Sequence, residues 1–148
     1  MIDENSKYFE IKGNGNLIEI EVFGKQYPNT DDDWDENWLN CMISVKAGPF
    51  SGKFKANLMT TDFEMFKNGI TELYNKLDGV ATFYTLESQV DIKIMGDGIG
   101  HLTAQCEVMD NVGVGNKLEF EIDFDQTQIP ELINQLEKIT KEFPVKEL

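Results

Sequence analysis

The sequence predicts an α+β fold: a mainly antiparallel sheet of about eight strands with two amphipathic helices covering one face, in the order four strands then a helix, twice. Three observations carry this. Apolar residues alternate with polar ones through most of the chain, the period of half-buried strands. Two segments break that rhythm and repeat apolar residues at gaps of 3 and 4, the period of a helix. No strand alternates with a helix, as parallel crossover units would require.

Phe9 and Ile11 alternate with polar neighbours, and Gly13-Asn14-Gly15-Asn16 turns the chain. Ile18, Ile20 and Val22 follow, with Glu19 and Glu21 in the opposite phase. Leu39 to Ala47 alternates on odd positions, Gly48-Pro49 makes a turn, and Phe54, Ala56 and Leu58 alternate on even ones. Thr61 and Glu64 then fit a capping box for a helix with Phe63, Phe66, Ile70, Leu73 and Leu77 on one face. Leu77-Asp78-Gly79 ends it. Four more strands are predicted at about 80–86, 90–95, 99–109 and 116–124, with glycine-rich turns at 96–100 and 113–115. The second helix starts after Asp125-Gln126-Thr127, tolerates Pro130 in its first turn, and carries Ile129, Leu132, Leu136, Ile139 and Phe143.

The two helices match at a constant offset of 66, Phe63 with Ile129 through Leu77 with Phe143, and so do the strands before them, Phe54 with Phe120 and Leu58 with Phe124. Residues 1–148 therefore read as one domain with pseudo-repeat halves, 1–78 and 79–148. Duplication and shared patterning both fit.

The 148 residues carry a net charge of −14, and all 13 basic residues are lysines. Phosphate and base recognition lean on arginine forks and a positive surface, which argues against nucleic acid as a direct ligand. An anionic membrane would repel the chain, whereas a basic protein would be attracted over a long range. Cys41 and Cys106 lie in the apolar phase and read as buried free thiols in a reducing compartment. Met1–Asn5 has no signal-peptide character and no apolar run approaches membrane-spanning length, which predicts a cytoplasmic protein.

No catalytic or metal-binding constellation emerges. Asp31, Asp33 and Asp35 have the first spacings of a calcium loop, but Glu36 stands where glycine is needed and Met42 where the bidentate glutamate belongs. His101 has no cysteine companion, and Gly96–Gly100 precedes a strand rather than a phosphate-cradling helix. Binding is better marked. Asp31, Asp32, Asp33, Trp34 and Asp35 form an acidic, aromatic connection into a strand, with Trp34 a candidate affinity anchor and Trp38 a packing residue. Glu119, Glu121 and Asp123 occupy alternate outward positions of the last strand, about 7 Å apart. These eight residues are the candidate partner-binding set.

Several segments together carry a resemblance: Asp35-Glu36-Asn37-Trp38-Leu39, Gly48-Pro49-Phe50-Ser51-Gly52, Leu86-Glu87, Gly100-His101-Leu102, and Asp125-Gln126-Thr127-Gln128-Ile129 before a helix ending in Phe143-Pro144. In this order, over roughly residues 8–144, the chain resembles bacterial WapI-type immunity proteins. The resemblance implies a cytoplasmic, non-enzymatic inhibitor, without cofactor or metal, that binds the C-terminal domain of a contact-delivered toxin. That toxin is typically a nuclease acting on RNA, so its cleft is expected to be basic. The alternative is a small-ligand or enzymatic α+β domain whose sheet and helices enclose a pocket lined by Phe83, Tyr84 and the tryptophans.

Overall fold

The structure is a computed structural model and describes residues 7–146; the sequence reading of Met1–Asn5 lies outside them. Eight strands form two antiparallel sheets of four. The first sheet holds β1 (Lys7–Gly13), β2 (Asn16–Lys25), β3 (Trp38–Ala47) and β4 (Phe50–Met59) in that order. The second holds β5 (Asp78–Tyr84), β6 (Val90–Asp97), β7 (His101–Met109) and β8 (Lys117–Asp125). A single helical turn, α1 (Asp33–Glu36), precedes β3; α2 (Thr60–Lys76) joins the sheets, and α3 (Ile129–Glu142) follows β8 through one 3-10 turn. The α+β class and the strand count are as predicted. The eight strands divide into two hairpin-connected groups, and the 17-residue α2 links the last strand of the first to the first strand of the second.

Each helix packs on the opposite half: α2 lies on β5, α3 lies on β1, and the helices touch each other. The residues at offset 66 share their burial. Phe63 and Ile129, Phe66 and Leu132, Ile70 and Leu136, and Leu73 and Ile139 are all buried, as are Leu58 and Phe124. The period-2 strands and period-3.6 helices thus feed one continuous core. At its centre Phe9 of β1, Phe63 and Phe66 of α2, and Phe83 of β5 pack with ring centroids 5.2–6.0 Å apart. Edge-on pairs of this kind add about 0.5–1.5 kcal/mol each beyond their buried area. Gln135, buried on α3, accepts from the Glu10 backbone N–H at 3.0 Å and so satisfies an edge group of β1.

Local chemistry departs from the sequence reading in three places. Helix α2 begins at Thr60, not after Thr61, and Asp62 rather than Glu64 reaches back to accept from the Met59 N–H at 3.2 Å. The Thr60 hydroxyl is occupied elsewhere, donating to Asn37 Oδ1 at 2.7 Å. The helix stops with Leu77 itself left-handed at φ 58°, its carbonyl accepting from Gly98 N–H at 2.7 Å. A Cβ at Gly96 would stand 2.6 Å from that carbonyl, which is why glycine occupies the position. Finally, the acidic connection before β3 is one helical turn and not an irregular loop.

Candidate partner-binding surface

Period-2 alternation sends Ile122 and Phe124 of β8 into the core and leaves Glu119 and Glu121 exposed and Asp123 half-buried on the outer face of the second sheet. Register then assembles what the sequence keeps apart. Tyr84, Asp91, Glu107 and Glu119 line up across β5 to β8, as do Thr82, Lys93, Gln105 and Glu121. This face carries a shallow hollow of about 450 Å³, with Tyr84 at 55 % exposure among its lining residues.

Glu107 and Glu119 face each other directly, an arrangement that disfavours folding for like charges. Lys117 relieves one of them, donating to Glu107 Oε1 at 2.8 Å, and this hydrogen bond raises the lysine's pKa. Glu119 and Glu121 make no ion pair among the described residues. Asp123 is more committed: it accepts from Thr103 Oγ1 at 3.0 Å and Asn14 Nδ2 at 3.2 Å, and His101 Nε2 stands 3.9 Å away. The hollow therefore holds Glu119, Glu121 and Asp91, none in an ion pair among the described residues, with Lys93 among them. The Tyr84 phenol lies at the β5 edge, three strands from Glu119. The carboxylates of the hollow outnumber its free lysine, a setting that attracts cations.

The acidic turn is built differently. Asp32 caps α1, accepting from Trp34 N–H at 2.8 Å and Asp35 N–H at 3.3 Å, so its role is structural. Asp31 and Asp33 are exposed, and Glu36 lies 3.9 Å from Lys25. Trp34 is 41 % exposed and packs edge-on against Trp38 at 6.4 Å. Trp38 opens β3 half-buried, a weaker anchor than a core ring. Behind them Asn37, only 1 % exposed, acts as a hub. Its Nδ2 donates to the carbonyls of Asp33 at 3.1 Å and Lys146 at 3.0 Å; its Oδ1 accepts from Thr60 Oγ1 at 2.7 Å and Lys146 N–H at 2.8 Å. The Asp-Glu-Asn-Trp-Leu segment is thus largely scaffold, tying α1, α2 and the C-terminal segment together.

The eight candidate residues do not form one patch. The acidic turn lies where Gln26 N–H meets the Trp38 carbonyl, at the end of β2. Glu121 and Asp123 meet the other end, where Asn16 Nδ2 donates to the Glu121 carbonyl at 2.7 Å. The run of β2 between them spans about 30 Å, roughly the width of a standard interface. Asp91 and Glu107 were missed by the sequence reading, and Tyr84 was read only as a pocket-lining candidate, although each alternates with buried neighbours; only the cross-strand register puts them in line with Glu119.

Two carboxyls are pushed above their usual range. Glu19, on the outer face of the first sheet, is raised by burial and then by Glu10 and Glu21, with Lys53 opposing. Asp62 rises to about 6, mainly through burial and also through Asp91, against the favourable Met59 N–H bond. Among the described residues, no three metal-ligating side chains stand together and no helix is long and apolar enough to cross a membrane.

The architecture has counterparts among solved structures. MRP1/MRP2 of Trypanosoma bruciei superposes with a TM-score of 0.53 at 9 % identity, covering 95 % of this chain and 88 % of that one. The plant transcriptional regulator PBF-2 gives 0.54 at 11 % identity, over 96 % and 84 %. WHY1 from Arabidopsis thaliana gives 0.52 at 12 % identity, over 98 % and 88 %. Likeness at this level of identity shows the fold alone. Among curated proteins none matches the sequence. A family match does extend over nearly the whole chain: residues 9–144 fit the Immunity protein WapI-like family, and the chain belongs to that family.

Proposed function

We propose that this protein is a cytoplasmic immunity protein that neutralises a toxin domain, a basic nuclease, by stoichiometric binding rather than by catalysis. Family membership over residues 9–144 is the observation that carries the reading, since it implies an immunity role and a toxin protein as partner. The charge of −14 and the uncompensated carboxylates of the second sheet supply the electrostatic part. Glu119 and Glu121 steer a basic surface into the hollow, with Tyr84 at its opposite edge; Asp31, Asp33, Asp35 and Trp34 form a second contact zone about 30 Å away. Asp123 and Asp32 mainly hold these zones in shape. The protein takes no nucleic acid directly and acts as one domain. The pocketed alternative is less well supported, because the space between sheets and helices is occupied by the four-phenylalanine cluster.

The test is co-expression with the toxin domain encoded beside it, followed by association kinetics at several salt concentrations. Glu119→Lys with Glu121→Lys should slow association about tenfold at low salt and flatten its salt dependence, with thermal melting unchanged. Failure to protect cells and failure to form a complex would remove the immunity reading. Protection with unchanged kinetics in the double variant would remove only the acidic face from it.

A further inference from the structure

Each half of the molecule brings a turn to the edge of the other half's last strand, and only one of the two contacts is closed. The β1–β2 turn sits tightly on β8. A Cβ at Gly13 would stand 1.9 Å from the Asp123 carbonyl oxygen, and Asn16 and Asn14 donate to the Glu121 carbonyl and the Asp123 carboxylate. At the offset of 66, Glu121 and Asp123 correspond to Lys55 and Asn57 of β4. There the β5–β6 connection arrives through Gln89, but the side-chain hydrogen bonds it makes stay within its own sheet. Gln89 Nε2 donates to the Met109 and Asp110 carbonyls, both at 3.2 Å, and Thr85 Oγ1 donates to the Val90 carbonyl at 2.8 Å. A groove of about 600 Å³ separates Gln89 from β3 and β4, with Phe23, Met42, Lys55 and Asn57 on its walls.

Three features describe what fits. Phe23 is 58 % exposed beside the groove, so an apolar contact awaits cover. Lys55, on the groove wall, is exposed and makes no ion pair among the described residues, so an occupant with negative charge fits there. Among the described residues strand β4 pairs only with β3, leaving its outer backbone groups open along one side. A second copy is disfavoured in the register that pairs the two β4 strands about their middle. Antiparallel β4–β4 pairing centred on Phe54 would set Lys53 opposite Lys55 of the other copy twice over, and like charges so placed oppose pairing. The molecule itself shows the alternative on β8, where a small-residue turn with polar side chains bonds the strand edge.

We propose that the groove beside β4 receives a tight, acidic turn of the toxin domain, its backbone bonding the open strand edge and its carboxylate meeting Lys55. This rests on the immunity reading and adds a contact of opposite charge to the acidic hollow. The test uses the full chain and the toxin domain encoded beside it. Asn57→Trp, which fills the groove from an outward strand position, should raise Kd at least tenfold, and Lys55→Glu about fivefold, both with unchanged melting. A benzophenone side chain at position 53 should cross-link to an acid-bearing turn of the toxin. Should Asn57→Trp lower the melting temperature, Lys55→Glu and the cross-link decide. Binding of both variants within about twofold of wild type overturns the proposal while leaving immunity intact. A dimer in sedimentation that Asn57→Trp abolishes also overturns it, making a second copy the occupant. If the wild-type chain neither binds nor protects against the toxin domain, the immunity reading itself falls, and the groove proposal with it.

Discussion

Replacing Asn37 by alanine should destabilise the domain by about 3–5 kcal/mol, the upper range for a single polar deletion. The magnitude follows from the hub. Four side-chain hydrogen bonds of 2.7–3.1 Å are lost, each worth about 0.5–1.5 kcal/mol net. The Thr60 hydroxyl and the Lys146 N–H lose their acceptor in a place where water has little access, since Asn37 is 1 % exposed. For a chain of this length the loss corresponds to about 10–15 °C in melting temperature. Urea titration of wild type, Asn37→Ala, Thr60→Val and the double variant gives the coupling directly. Asn37 and Thr60 should couple by about 1 kcal/mol or more. A C-terminal truncation removing Lys146 should weaken the fold in the same assay but by less than Asn37→Ala, because two of the four bonds survive. An Asn37→Ala loss below about 1 kcal/mol would refute the hub, showing that the connection before β3 is held by α1 and the tryptophans instead.

Trp38→Ala should cost about 1–3 kcal/mol in thermal melts, less than for a core ring because Trp38 is half-buried, whereas Trp34→Ala should leave stability within about 1 kcal/mol and raise the dissociation rate of the toxin complex. Asp62 binds its proton more tightly folded, near 6, than at its ordinary 3.8. Its contribution to stability is therefore full below that ordinary value and lost as pH rises through about 6. Asp62→Asn, which keeps an acceptor for the Met59 N–H, should add about 1–2 kcal/mol at neutral pH and flatten urea-derived stability between those limits. An equal slope in the variant would discard this assignment. Gly13→Ala should cost at least about 2 kcal/mol, because the Asp123 backbone must move to admit the methyl group; hydrogen exchange at β8 should rise with it, and wild-type exchange rates there would argue against the close approach.

The sequence alone determined the α+β class, the order of the eight strands and two long helices, the inward and outward phase of the first four strands and the last, and the apolar faces of α2 and α3. These rest on periods of 2 and 3.6, which are properties of a few neighbouring residues and need no knowledge of the rest of the chain. It also placed Glu119 and Glu121 on a wet face, and its motif set pointed to the right family. Tertiary structure decided what lies far apart in sequence. It divided eight strands between two sheets, because alternation marks a strand without naming its neighbour. It set Tyr84, Asp91 and Glu107 in line with Glu119, because register depends on which strand pairs with which. It turned Asn37 from one motif letter into a hub, because the partners of a buried amide come from α2 and the C-terminal segment. It separated the two acidic zones along the length of β2, and it left open beside β4 the groove that the matching turn closes on β8. Alternation fixes which way a side chain faces; only packing fixes what it faces.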